Sequence, residues 1–433
     1  MSTELSIIIP LYNSEKYLSK CLDSVCPQIN NNVEIILIND CSTDKSVQIC
    51  KRYAKKFNFI KIINQKKNNG VSYSRNNGIN QATGKYLCFL DSDDLLLKKS
   101  INTILKKIKI FSGMDLFVLR SHDISKKNID KNQIFNIKKI GNKSIINNIT
   151  NFKKFRATCW NFIVKKKFLY LNNIKFNNNI KIFEDQVFVS KILCLAEDFK
   201  IIERPVYIRR IFEPDTLGKK VGYNIVLSCI NIIYQISHFI YKKNKFLNKK
   251  KIKFLYSRLK FVIEQLLLNI TICGPDEIKN ASKNIKNDLP LIQKVLTFKN
   301  KNLNFLIKKK ENINNYLLNY KLKKVKFLEK ILNKFNDKKI ILFCTGSYTK
   351  IILKTFIKLG ANINIIIDNN IYFSGKKLET ATIRNLSYLK KKGKKVFNPK
   401  ILICNKNIPE VKKIKLQLNR IGIENKNLFQ VKI

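Results

Sequence analysis

The segment FLDSDDLL closes an apolar run with three acids, Asp91, Asp93 and Asp94. Carboxylates at the end of a buried strand are costly to leave unpaired, and strand C-termini in open α/β sheets are where ligands bind, so a cation is their natural partner. On extended chain, side chains two positions apart project to one side. Asp91 and Asp93 are therefore expected to face one ligand, one holding a hard divalent cation while the other meets a sugar hydroxyl. Magnesium keeps several waters and takes one or two protein carboxylates plus diphosphate oxygens, which this pair can complement. The competing reading is a cluster of caps opening the next helix, and it suits Asp94 best.

A second apolar run, VEIILIND, also ends in acid at Asp40. Asp40 would lie near Asp91 if the two strands were neighbours in a parallel sheet, and two acid-tipped strands at one sheet edge would make a nucleotide pocket. Between them, NNGVSYSRNNGI supplies Gly70 for a tight turn and Arg75 on the helix that follows. Arg75 suits a diphosphate or base contact; the alternative is a surface ion pair. Further on, IKIFEDQVFVS carries Glu184 and Asp185, which by residue type alone are an ordinary acidic helix start.

The elements that must hold these groups alternate short apolar runs with helical patterns, the signature of βαβ units and a mostly parallel sheet. LSIIIP reads as a strand covered on both faces. Ser14 can cap a helix through Cys26, with Tyr17, Leu18, Cys21, Leu22 and Val25 at helical spacing. VEIILIND is a second strand, Thr43 or Asp44 opens a second helix, FIKIINQ is a third strand, and KYLCFLD follows a helix around Ser74 to Ala82. From Ile101 to Lys181 the pattern is irregular, and another helix is expected from Phe183 to Ala196. Residues 1–218 are expected as one α/β domain, 219–336 as a helical connector, and 337–433 as a small separate α/β domain opened by KKIILFCTG.

The ordered motifs SIIIPLYNSEKYLSKCLDSV, EIILINDCSTDKS, NGVSYSRNNGI and KYLCFLDSDD resemble the nucleotide-binding half of the family 2 glycosyltransferases, which have the GT-A fold. The likeness is close over Leu5 to Leu97 and looser over Ile101 to Phe212. It implies that Pro10, Tyr12 and Asp40 line a base pocket and that the Asp-x-Asp segment, Asp91 with Ser92 and Asp93, meets the sugar nucleotide, Asp93 through a divalent metal, Mn2+ or Mg2+. It implies that Asp185, preceded by Glu184, is a general base opening an acceptor-side helix. A hydroxyl attacking the anomeric carbon needs a carboxylate within hydrogen-bond reach to take its proton. A single displacement inverts that carbon, so no nucleophilic side chain is required. Arg209 or Arg210, in ERPVYIRR, is expected to reach the diphosphate, although the insert FEPD before Thr216 departs from the family pattern. Trp160, the only Trp, falls where relatives have an acceptor-side segment and is expected either to stack on a sugar or to pack in the core.

The composition of the full 433-residue chain fits a folded protein: 45% of residues are apolar and 10% aromatic, which excludes wholesale disorder. The net charge is +54, from 84 Lys and Arg of which ten are Arg. Nucleic-acid readers favour the planar Arg fork; scattered Lys instead suits a solvated surface, or peripheral contact with anionic membrane. Eleven Cys without a CxxC pair read as buried thiols of a reducing, cytoplasmic compartment. MSTELSIIIPLYN has no basic n-region and reads as a strand, and Tyr223 to Tyr241 reads as a buried soluble helix rather than a membrane span, because Asn224, Asn231, Gln235 and His238 would each be costly in hydrocarbon. The C-terminal part, 337–433, resembles the small Rossmann-like domains appended to some sugar transferases, but only Gly346 remains of a dinucleotide fingerprint that needs three glycines.

The expected activity is transfer from a nucleoside diphosphate sugar, a UDP-sugar above others, to a hydroxyl of a surface glycan or lipid-linked acceptor, at the inner face of the membrane. Two rivals stand beside it. A nucleotidyltransferase would need a Gly-rich, Lys-containing loop after the first strand, which PLYNSEKYL lacks. A non-catalytic basic glycan or nucleic-acid binding protein would gain nothing from carboxylates in its cleft.

Overall fold

Strand β1 (Leu5–Leu11) is buried along its whole length, and its side chains pack on both faces of the sheet. The computed structural model describes residues 2–29, 32–124, 129–130, 145–149, 155–210, 221–283, 313–333, 340–343, 347–361, 363, 365–368, 374–391, 400–404, 408–421, 423–424 and 427–430. The chain divides into two compact units, one made of Met1–Phe212 with Asn231–Val262, the other of Glu213–Ile230 with Ile263–Ile433.

In the first unit β1 is followed by α1 (Glu15–Val25), β2 (Val33–Asn39), α2 (Ser46–Lys56), β3 (Ile60–Asn64), α3 (Val71–Gln81) and β4 (Tyr86–Phe89). α1 buries Leu18, Cys21, Leu22 and Val25, the i, i+3, i+4, i+7 stripe of an amphipathic helix. Its first turn is fixed from outside: Asp44 accepts from the Glu15 and Ser46 amides at 2.9 and 3.0 Å, so one carboxylate caps the starts of α1 and α2. α3 comes very close to β1, because a Cβ on Gly78 would run into the Ile8 side chain. Then come β5 (Leu95–Leu96), α4 (Ser100–Ile110), β6 (Leu116–Ile124), β7 (Ile129–Asp130), α5 (Ile145–Asn148), β8 (Phe162–Lys165), α6 (Lys166–Leu171), α7 (Asp185–Leu195) and β9 (Phe199–Arg210).

The sheet order is β3-β2-β1-β4-β8-β6-β9-β5, with β7 on the edge of β6. β3, β2, β1 and β4 are parallel, and the sheet becomes mixed where β8 joins β4 antiparallel. This is the α/β class expected from the sequence. It also corrects one expectation: β1 lies between β2 and β4, so the strands bearing Asp40 and Asp91 are not neighbours. Their ends stand two strand spacings apart, roughly 9.5 Å.

Helices α8 (Tyr223–Lys243) and α9 (Lys249–Asn269), from the segment expected to be a connector, are each shared between the two units. Within the first unit Arg258 on α9 is buried and donates to the Phe155 carbonyl at 2.7 Å. α8 is long and apolar enough to cross a membrane by length and composition, and 61% of its apolar window is buried inside the protein. The second unit contains α10 (Pro275–Lys283), α11 (Ile313–Asn333), β10 (Ile340–Phe343), α12 (Ser347–Lys358), β11 (Ile365–Ile367), β12 (Lys377–Leu378), β13 (Ala381–Arg384), α13 (Leu386–Lys391), β14 (Lys400–Ile403), α14 (Ile408–Arg420) and β15 (Leu428–Gln430). Its sheet runs β12-β13-β11-β10-β14-β15, parallel except for the β12–β13 pair. One of its cores joins Leu342, Ile351 and Ile366 to Leu268, Ile272 and Leu328 from the preceding helical segment. Thr216, Gly346 and the stretch 284–312 lie outside the described residues.

Candidate active site

β4 ends at Phe89, and the acids that follow sit on a turn rather than on extended chain: the Asp94 amide donates to the Asp91 carbonyl at 3.0 Å. The alternation argument for Asp91 and Asp93 therefore fails, and the turn gathers the acids instead. Carboxylate oxygens of Asp91, Asp93 and Asp94 lie within 4.8 Å of one another.

The three have different partners. Asp94 is buried, accepting from the Tyr207 hydroxyl at 2.7 Å and the Arg210 amide at 2.8 Å, so it fastens the turn to β9. Asp91 accepts from Arg75 at 3.0 Å, and its amide donates to the Tyr207 hydroxyl at 3.3 Å. Burial and then the Asp91 charge push the Asp93 carboxyl up to about 6. Burial, with Asp93 and Asp91 beside it, drives Asp94 upward as well.

Arg75 joins this turn to the start of α7. It is 3% exposed on α3, and beside its bond to Asp91 it donates to Glu184 at 2.5 Å and lies 3.3 Å from Asp185. The guanidinium lies 5.3 Å from the centre of the Phe176 ring, an apolar backing for a buried cation. One arginine thus faces three carboxylates, which leaves an excess of negative charge in a poorly solvated place. Asp185 carries its effect: burial raises its carboxyl to about 7, against the lowering pull of Arg75. Carboxyls that hold protons this readily are those that an added cation would ionise. The hard oxygen set of Asp91, Asp93 and Asp94 suits Mg2+ or Mn2+ in kind, Asp93 having the fewest commitments to the protein.

The other expected residues fall into two groups. Ser92 belongs to the site, since its hydroxyl lies 2.8 Å from that of Ser14 and ties the acidic turn to the chain leaving β1. Tyr12, just past β1, is 49% exposed, and Pro10 is buried in β1 opposite Ile38. Asp40 is buried with both oxygens occupied, accepting from the Asn69 and Gly70 amides at 2.8 and 2.7 Å. It therefore shapes the loop ahead of α3, where Gly70 takes a φ of +90°.

Arg209 is held by Asp123 through two bonds of 3.0 and 2.8 Å, and Arg210 lies over the Tyr17 ring at 5.1 Å; the charges of both pull the Asp93 carboxyl down, against the larger upward push of burial. Trp160 is buried and stacks on Tyr207 at 4.4 Å and 12°, so of its two expected roles it takes the core one. Sequence reasoning passed over Tyr207 and Asp123. Tyr207 is completely buried with its hydroxyl between Asp91 and Asp94. The alternation in VYIRR could have marked it as inward-facing, but not its partner.

Over residues 6–170 the chain matches the family model described as Glycosyl transferase family 2. The glycosyltransferase GlyG of Streptococcus pneumoniae serotype 4 is 28% identical over 220 residues, which cover 48% of this chain and 71% of that protein. The minor teichoic acid biosynthesis protein GgaB of Bacillus subtilis is 30% identical over 217 residues, 48% of this chain but 23% of its own length. Of GgaB, as of several other curated relatives, the chain spans less than two thirds. Among solved structures, S. aureus TarS 1-349 in complex with UDP-GlcNAc superimposes with a TM-score of 0.51 at 22% identity, covering 68% of this chain and 80% of that one. At that identity the likeness is one of fold.

Proposed function

We propose that the chain carries a family 2 glycosyltransferase domain over residues 6–170 and that this domain moves a sugar from a nucleoside diphosphate sugar to an acceptor hydroxyl, with inversion, Asp185 serving as general base. The observation that carries the reading is Arg75, which holds Asp91 of the acidic turn and Asp185 of α7 on one buried guanidinium at 3.0 and 3.3 Å. Donor-side and acceptor-side carboxylates are thereby kept in one place by a side chain that has little freedom.

In the reaction the acceptor oxygen forms its bond to the anomeric carbon as the bond to the diphosphate oxygen breaks, and the hydroxyl proton passes to Asp185. A carboxyl raised to about 7 is well matched to that task, because it is basic enough to take a proton yet partly ionised near neutral pH. Asp91, Asp93 and Asp94 would hold Mn2+ or Mg2+, which supplies positive charge against the departing diphosphate. Tyr207 and the Arg210 amide keep the turn in shape by fixing Asp94. In this reading Tyr12, exposed just past β1, would meet the nucleoside end of a donor, and Ser92, bonded to Ser14, its sugar end.

Support for a UDP-sugar comes from a solved neighbour of the same fold that holds UDP-GlcNAc. Support for a surface-glycan acceptor comes from a relative whose name places it in minor teichoic acid biosynthesis. The nucleotidyltransferase rival is disfavoured because α1 starts on Glu15 after a loop without glycine. Purified protein incubated with a panel of UDP-sugars and Mn2+ is expected to hydrolyse at least one slowly without acceptor, and Asp93→Ala to abolish this. Absence of metal-dependent turnover or binding across the panel would overturn the reading.

A further inference from the structure

The tip where α8 turns into α9 has no part in the chemistry above, yet it concentrates charge and exposed aromatic surface. α8 ends at Lys243, a single 3-10 turn covers Asn244–Phe246, and α9 begins at Lys249. Tyr241 is 54% exposed and Phe246 74% exposed, while Leu247 between the helices is buried and anchors the turn. Lys242, Lys243, Lys245, Lys249 and Lys250 are all exposed around them. From Asn231 to Val262 the sequence holds nine Lys or Arg and no Asp or Glu, so nothing in this stretch neutralises the tip. The Asn248 side chain accepts from the Lys250 and Lys251 amides at 3.1 and 2.9 Å, which caps α9 and makes the tip a formed structure.

We propose that this tip is a membrane-docking surface for a bilayer with anionic headgroups. The pairing of residue types decides between occupants. A duplex or a polyphosphate, which presents phosphate outward, would use the lysines but gains nothing from an exposed Phe, and a single strand that stacked its bases on the ring would be held by arginine forks more readily than by lysine. At a lipid surface a ring such as Phe246 enters the headgroup–acyl boundary while lysines stay at the charged plane. Lys243 already lies over the Phe246 ring, 5.6 Å from its centre, so charge and ring are presented together. Lysine rather than arginine also suits diffuse attraction to headgroups better than bidentate grip on a nucleic acid.

The test is co-sedimentation of the full chain with vesicles of phosphatidylcholine alone and of phosphatidylcholine with about a third phosphatidylserine. Binding is expected only to the anionic vesicles and to weaken as salt rises. Phe246→Ser is expected to weaken it about tenfold or more, and the triple change Lys242→Glu, Lys243→Glu, Lys245→Glu to remove it. A control reversing Lys55, Lys56 and Lys106, on α2 and α4, should keep it within about threefold. Equal binding to neutral vesicles, an equal loss in the control, or an unchanged Phe246→Ser would each overturn the proposal. So would tighter binding to a DNA duplex than to vesicles, unaffected by Phe246→Ser. Melting temperature and acceptor-free donor hydrolysis should be unchanged in Phe246→Ser, which separates failure of docking from failure of the transferase reading.

Discussion

Arg75 is the residue on which the site depends. Its guanidinium is buried against Asp91, Glu184 and Asp185, and removing it would leave carboxylates uncompensated. Arg75→Met is expected to cost about 3–5 kcal/mol of unfolding free energy, read from denaturant titration, and to abolish turnover. Asp185→Asn keeps the volume but cannot accept the proton, so kcat should fall roughly 10²–10⁴-fold, with donor affinity little changed. For the unchanged protein kcat should rise with pH through about 7, because the base works only when deprotonated. Stability should run the other way. The folded-state values of Asp93, about 6, and Asp185, about 7, exceed the ordinary 3.8, so between these limits the folded protein holds protons that the unfolded chain has released. Stability is then greatest at the acid end of that window and declines as pH rises through about 7. In chelator the urea midpoint should therefore be lower at pH 8 than at pH 6, carboxylates elsewhere being equal, and Mn2+ should narrow the gap.

At the scale of elements, strand ends and helix starts place the chemistry. α3 delivers Arg75 only because Gly78 lets it approach Ile8 on β1, so Gly78→Ala should push the helix outward and cost about 1–3 kcal/mol. Activity should fall more than the stability loss explains, measured at a temperature where the variant is fully folded. Much of this was legible in the sequence. The apolar runs at Leu5, Val33, Ile60 and Tyr86 became the parallel strands, and Ser14 and Asp185 mark the starts of α1 and α7, although the Ser14 hydroxyl makes no capping bond and turns to Ser92 while Asp44 caps α1. What was not legible was lateral order. Nothing in a strand's own residues says that β1 separates β2 from β4, and so the two acid-tipped strands were expected side by side. Nor does residue type tell an extended segment from the turn at Asp91 to Asp94, which the Asp94 bonds to Tyr207 and Arg210, over 110 positions away, hold in place. The same long-range packing took Trp160 into the core against Tyr207.

At the scale of the molecule the second unit is not simply the last hundred residues. Leu268, Ile272 and Leu328 belong to a core with Leu342, Ile351 and Ile366. A chain ended at residue 336 would expose that apolar surface, and it is expected to aggregate on expression or melt well below the full chain in calorimetry. The charge of +54 acts on the whole molecule as a field that favours anionic surfaces, while the acidic turn and α7 hold a local excess of carboxylate within it. Under the proposed function, that contrast suits a metal-bridged, negatively charged donor. The most direct measurement is calorimetric titration of UDP-GlcNAc with Mn2+ into the unchanged protein, Asp93→Ala and Asp185→Asn, using whichever UDP-sugar the panel selects if it is another. Equal donor affinity in the unchanged protein and Asp185→Asn, with at least about tenfold weaker binding in Asp93→Ala, is the expected result; undiminished binding in Asp93→Ala would contradict the account.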